Sequence, residues 1–136
     1  MPFMLRTLLA SILHLPAQGL PCWPMKRGEL WWASMPAPAG RGPGYRRPVV
    51  IVQSNPFNTS RIGTVVVAAV TSNLKLGASP GNVRVGKAQS GLAKASVINV
   101  SHLIALDRDL LTRRVRALPA DAMRAIDEGL RLVLGA

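Results

Sequence analysis

Two short polar clusters stand at the ends of the most hydrophobic runs of the chain: Arg46-Arg47 directly before residues 48–53, and Thr71-Ser72-Asn73 directly after residues 64–70. Both runs are β-branched and apolar without alternation and are bounded by turn residues, the pattern of strands buried on both faces at the centre of a sheet. If the two strands are antiparallel neighbours, the start of one lies beside the end of the other, and Arg47 and Thr71 meet on one rim. A guanidinium fork beside a hydroxyl suits a phosphate. The plainer assignment makes Arg47 a charged gatekeeper of a hydrophobic strand and Thr71 a strand terminator, and needs no ligand.

Other chemistries fall by subtraction. The six acids are Glu29, Asp107, Asp109, Asp121, Asp127 and Glu128, so residues 30–106 contain no carboxylate. Paired carboxylates for acid and base work, or an Asp/Glu cage for magnesium, are therefore missing from the middle of the chain, which argues against metal-dependent nuclease chemistry. The single Cys22 excludes a disulfide framework and points to a reducing compartment; with only His14 and His102 beside it, a structural zinc site lacks ligands. No Gly-x-Ser-x-Gly elbow supports a hydrolase triad, and neither a Walker-type loop nor a Gly-x-Gly-x-x-Gly turn indicates a nucleotide. The expectation is an activity with no metal and no cofactor.

Charge supplies the partner class. Seventeen Lys and Arg against six acids give a net charge of +11. The carboxylate-free stretch holds Arg41, Arg46, Arg47, Arg61, Lys75, Arg84, Lys87 and Lys94. A surface kept basic for solubility would have acids interspersed, as they are after Asp107, whereas a phosphate-binding face is weakened by each one, so a polyanion is the natural partner.

The elements that must position these residues fit one small domain, because 136 residues bury a single core. Apolar residues make up 49%, too many for a disordered chain. No apolar run approaches the roughly 20 residues of a membrane span, so a soluble protein is expected. Residues 1–24 begin with Arg6 and a short apolar stretch interrupted by Ser11, His14 and Pro16, a poor secretory signal. They are taken as a translated leader outside the fold, with Met25 as the true start and residues 25–136 as the domain. Residues 30–33 predict a short strand, and residues 35–44, rich in Pro and Gly, a loop. Residues 54–59 and 71–82 are further connections, and residues 83–85 and 96–100 further strands. Residues 107–111 suggest a turn of helix. After Pro119, Met123, Ile126, Leu130 and Val133 form one apolar stripe, an amphipathic helix with Asp127 able to pair with Arg131. No internal repeat is visible.

Lys26-Arg27-Gly28-Glu29-Leu30-Trp31, the strand Arg47-Pro48-Val49-Val50-Ile51-Val52-Gln53, the turn Val70-Thr71-Ser72-Asn73, Ser96-Val97-Ile98-Asn99 and the last helix together resemble the MazF/PemK toxins of bacterial toxin-antitoxin systems, over about residues 26–134. The resemblance implies a mostly β chain with helices (α+β), a small SH3-like antiparallel barrel with a C-terminal amphipathic helix. It implies a cytoplasmic homodimer that cuts single-stranded RNA at short sequences without a metal and is blocked by a cognate antitoxin protein. Arg47 matches the family's catalytic arginine and Thr71 its catalytic threonine. The implied reaction is attack of the ribose 2'-hydroxyl on the adjacent phosphate, leaving a 2',3'-cyclic phosphate and a 5'-hydroxyl. Many members carry Gly-Ser-Glu where this chain has Gly40-Arg41-Gly42, and often Gln where it has His102.

Candidate RNA contacts beyond the pair are Arg41, Tyr45 and Arg46 before the first central strand, Gln53 and Ser54 after it, and Asn73. Tyr45 is suited to stacking a base. His102 is a candidate base contact or proton carrier, or a plain surface histidine. Trp31 and Trp32 are assigned to core and dimer packing, since adjacent strand residues face opposite sides. Two other functions compete: a non-enzymatic toxin of the same fold that binds DNA gyrase, and a plain RNA-binding barrel. Gyrase poisons of this type end in Trp-Gly-Ile, and this sequence ends Val133-Leu134-Gly135-Ala136.

Overall fold

The computed structural model describes residues 25–35 and 45–136. Six strands form one antiparallel sheet: β1 (Glu29–Met35), β2 (Tyr45–Ile51), β3 (Thr64–Thr71), β4 (Val83–Val85), β5 (Ser96–Asp107) and β6 (Leu111–Ala117), in the spatial order β4-β5-β3-β2-β1-β6. Among the described residues three α-helices accompany them, α1 (Asn55–Asn58), α2 (Lys87–Ser90) and α3 (Ala120–Leu134). The two runs read as central strands are β2 and β3, and they are central. The sheet curls into a half-barrel until α2 meets the outer strand β6, where Arg116 Nη1 donates to the Ala88 carbonyl at 2.6 Å. The predicted class, a small antiparallel barrel with a C-terminal helix, is the one observed.

Unbroken apolar runs in β2 and β3 follow from burial on both faces of the sheet. On one face Leu30, Val50, Ala68, Val70, Ile98 and Val100 pack under α3 through Ala122, Ile126 and Leu130. On the other, Trp31, Ala33, Val49, Ile51, Val65, Val67, Leu106 and Leu111 form a second core that also encloses Met25. Helix α3 lies close to the sheet because Gly129 meets Gly81; a Cβ at Gly129 would overlap the Gly81 carbonyl oxygen.

Four local expectations change. The strand predicted at residues 96–100 continues to Asp107, because Leu103, Ile104 and Leu106 extend its apolar pattern past the polar Ser101 and His102. The pairing steps from Ala69↔Asn99 to Ala68↔Leu103, so residues 100–102 form a wide bulge. Strand β6 carries Thr112, Arg113, Arg114 and Arg116; an outer strand with one free edge tolerates such residues, which hid it from the apolar pattern. In α3 the buried face is Ala122, Ile126, Gly129 and Leu130, while Val133 stays exposed beyond the edge of the sheet. Asp127 pairs with Arg27 at 2.8 Å rather than with Arg131. Among the described residues no helix is long and apolar enough to cross a membrane.

Candidate active site

Strands β2 and β3 are antiparallel neighbours, as the rim expected from sequence requires. Their paired register runs from Ile51↔Val67 to Val49↔Ala69 and ends there; Arg47 and Thr71 each lie two residues beyond the last pair, at adjacent strand ends. Strand alternation places Arg47 between Tyr45 and Val49, and Thr71 beyond Ala69, on the face of the second core. Both residues are half-buried. The Arg47 guanidinium lies 5.6 Å from the centre of the Tyr45 ring, a cation–π contact that leaves its donor edge available. Among the described residues no carboxylate pairs with it; the two ion pairs there are Arg27–Asp127 and Arg114–Glu29.

Thr71 is fixed from its own strand end. Its Oγ1 accepts the Asn73 backbone N–H at 3.1 Å, and the Asn73 side chain in turn accepts the Lys75 N–H at 3.2 Å. With an acceptor lone pair already used, the hydroxyl proton of Thr71 is free to donate, and the turn that follows is held in one conformation.

The remaining sequence candidates divide by position. Tyr45 lies on the Arg47 face, and Asn73 serves the Thr71 turn. Arg46 points to the other face, its guanidinium 4.9 Å from the Trp32 ring centre. Gln53 and Ser54 lie at the far end of β2, six residues from Arg47 and so roughly 20 Å along the strand. Gln53 is also engaged there: Nε2 donates to Asn58 Oδ1 at 3.0 Å, and Oε1 accepts from the Val66 N–H at 3.3 Å. His102 is exposed in the β5 bulge beside Ala68 and Ala69. Arg41 falls outside the described residues.

One residue on this face escaped the sequence reading. Asn99 pairs with Ala69, which sets it one cross-strand row from Thr71 on the same face. Its Oδ1 accepts from Ser101 Oγ at 2.8 Å. The available signal was a lone amide inside the apolar run Val97, Ile98, Val100.

At the opposite end of the molecule Arg108 is buried. Its Nη1 and Nη2 each donate at 2.7 Å, to the carbonyls of Asn58 and Phe57, the last residues of α1. Burial pulls this guanidinium below its ordinary pKa. It anchors the connection after β2 and stands apart from the Arg47 rim. Among the described residues no three of His, Cys, Asp and Glu cluster as metal ligands would.

Residues 26–134 match the family described as PemK-like, MazF-like toxin of type II toxin-antitoxin system. The endoribonuclease MazF2 of Mycobacterium bovis is 44% identical over 110 residues, covering 81% of this chain and 96% of the relative. The endoribonuclease MazF6 of Mycobacterium tuberculosis matches with the same identity and coverage. Among solved structures, a MazE-MazF complex from Deinococcus radiodurans aligns with a TM-score of 0.66 and 26% identity over 82% of this chain and 96% of its own. A mycobacterial endoribonuclease in complex with its cognate antitoxin aligns at 0.65 with 23% identity, over 82% of this chain and 95% of its own, a likeness of fold.

Proposed function

The chain belongs to the PemK-like, MazF-like family of type II toxins, and from that premise we propose that it is a metal-independent endoribonuclease that cuts single-stranded RNA at a short sequence and is held in check by a cognate antitoxin. The observation that carries the reading is that β2 and β3 are antiparallel neighbours whose adjacent ends carry Arg47 and Thr71 on one face, in a carboxylate-free region. The ribose 2'-hydroxyl attacks the adjacent phosphorus, the 5'-oxygen leaves, and the products end in a 2',3'-cyclic phosphate and a 5'-hydroxyl. Because the nucleophile belongs to the RNA, the protein's task is to stabilise charge on the crowded phosphate. Arg47 neutralises the non-bridging oxygens, and the Thr71 hydroxyl, its oxygen held by the Asn73 N–H, donates a hydrogen bond to the same phosphate. Tyr45 holds the Arg47 side chain on this face, and Asn99 adds amide donors one row away.

Metal independence is supported by the scarcity of ligands: a phosphate faced by Arg, Thr and Asn has no carboxylate beside it to recruit a cation. The cytoplasm, where mRNA and a partner antitoxin meet, is the proposed place of action. A homodimer is supported by the apolar surface at the end of α3, where Leu132 and Leu134 are each 63% exposed.

The test is to incubate the purified protein with a long single-stranded RNA in excess EDTA and map the fragment ends. Cleavage at recurring short sequences, with 5'-hydroxyl and cyclic-phosphate ends, is expected. Activity abolished by EDTA and restored by magnesium contradicts the mechanism, and binding without cleavage leaves a plain RNA-binding barrel.

A further inference from the structure

Arg46 and Arg47 are consecutive in β2 and therefore serve opposite faces of the sheet. Arg47 goes to the Thr71 rim. Arg46 covers the ring of Trp32, which pairs with Pro48 on β2 and with Arg113 on β6. Trp32 and Arg113 border a cleft of about 460 Å³ at the seam where β6 meets the α2 loop, lined also by Leu92, Val115 and Arg116. Leu92 and Val115 rest on the helix-covered core, and three arginines make the wall of the cleft more polar than apolar. Arg116 is tied to the Ala88 carbonyl and Arg114 to Glu29, whereas Arg46 and Arg113 have no carboxylate partner among the described residues.

We propose that this seam is a second binding site for single-stranded RNA, which takes nucleotides several positions away from the scissile one: Arg46 swings from the Trp32 ring onto a phosphate, Trp32 stacks a base in its place, and Arg113 contacts a second phosphate. The combination decides the occupant. An acidic peptide is satisfied by arginines alone, while an indole beside a cleft and flanked by guanidinium groups without a carboxylate partner is the arrangement that stacks bases and tracks a phosphate backbone. Because β2 carries Arg47 to one face and Arg46 to the other, a strand crossing the start of β2 engages both sites. The inference rests on RNA being the substrate, and it assigns to the seam affinity for longer RNA, separate from the chemistry at Arg47.

The experiment measures binding of a non-cleavable 2'-O-methyl RNA at two lengths, about 6 and about 16 nucleotides, the span of single-strand sites. Arg113→Ala, with an unchanged melting temperature, should weaken the long RNA by about tenfold. It should also lower the salt slope by about 0.7, one phosphate contact on a single strand. Short RNA should bind and, in its unmodified form, be cut as before. Arg46→Ala should likewise weaken the long RNA, and the indole quenching that accompanies long-RNA binding should shrink in Trp32→Phe. Equal weakening of both lengths, or unchanged affinity for the long RNA, overturns the proposal. So does an Arg113→Ala effect seen with polyglutamate and not with RNA, which gives the cleft to an acidic partner. Arg113-dependent binding of an RNA that the protein never cuts keeps this site and removes the enzyme reading instead.

Discussion

The two faces of the sheet are built from the same strands and end differently. Under α3 the apolar rows are covered for most of their length, and Trp32, Arg46 and Arg113 come to the surface only at the seam with the α2 loop. On the other face the sheet curls over its own core, and the rows run out at Arg47, Thr71 and Asn99, at a rim that no helix among the described residues caps. Both ends are basic, but the second carries, at adjacent strand ends, a guanidinium and a hydroxyl whose oxygen is held by a neighbouring N–H. Positive charge alone attracts RNA; the fixed pairing of donors at one phosphate is what distinguishes a reaction site from a binding face.

The largest effect that separates the faces is expected from Gly129→Ala. The added methyl overlaps the Gly81 carbonyl, forces α3 off the sheet and should cost about 3 kcal/mol or more, read as a lowered melting temperature with loss of all activity. A variant that melts like the wild type would show that α3 is not held by this close approach. Next comes Glu29→Ala. This buried carboxylate accepts from the Lys26 N–H at 2.7 Å, from Trp31 Nε1 at 3.2 Å and from Arg114 Nε at 2.6 Å, joining β1 to β6. Removing it should cost about 2 kcal/mol in urea unfolding while RNA cleavage by the folded fraction persists, because its partners lie away from the Thr71 rim. Smaller again is Asn99→Leu, nearly isosteric on the open face. It should leave stability unchanged and lower the single-turnover cleavage rate by about tenfold, the scale of one lost hydrogen bond to a charged group. An unchanged rate would confine the reaction to Arg47 and Thr71.

How much of this was legible in the sequence depends on which residues reported their surroundings. The two buried runs were enough to set β2 and β3 at the centre of the sheet, because an unalternating apolar strand has few other places in a small sheet. The C-terminal stripe marked α3, although its last member, Val133, overshot the surface that the sheet offers. Strand β6 was hidden because an outer strand keeps charged residues that a pattern search reads as loop. The β5 bulge was hidden because Ser101 and His102 look like a strand end, and only pairing with Ala68 and Ala69 shows the strand resuming. Arg46 and Arg47 were grouped as neighbours in sequence, whereas the alternation of a strand sends them to different faces, and the hydrogen bonds of Gln53 with Asn58 depend on a turn that the sequence pattern does not mark.

The central claim is that Arg47 and Thr71 act together on one phosphate, and the most direct measurement is the single-turnover cleavage rate at saturating RNA for Arg47→Ala, Thr71→Ala and the double variant. Each single change should lower that rate by about 100-fold or more, the cost of a lost preorganised donor. The double variant should lose less than the product of the two, because both groups serve the same phosphate. All three should melt as the wild type does, since neither residue belongs to either core. A rate that returns to the wild-type value once RNA saturates Arg47→Ala would make Arg47 one more member of the basic surface and contradict the account.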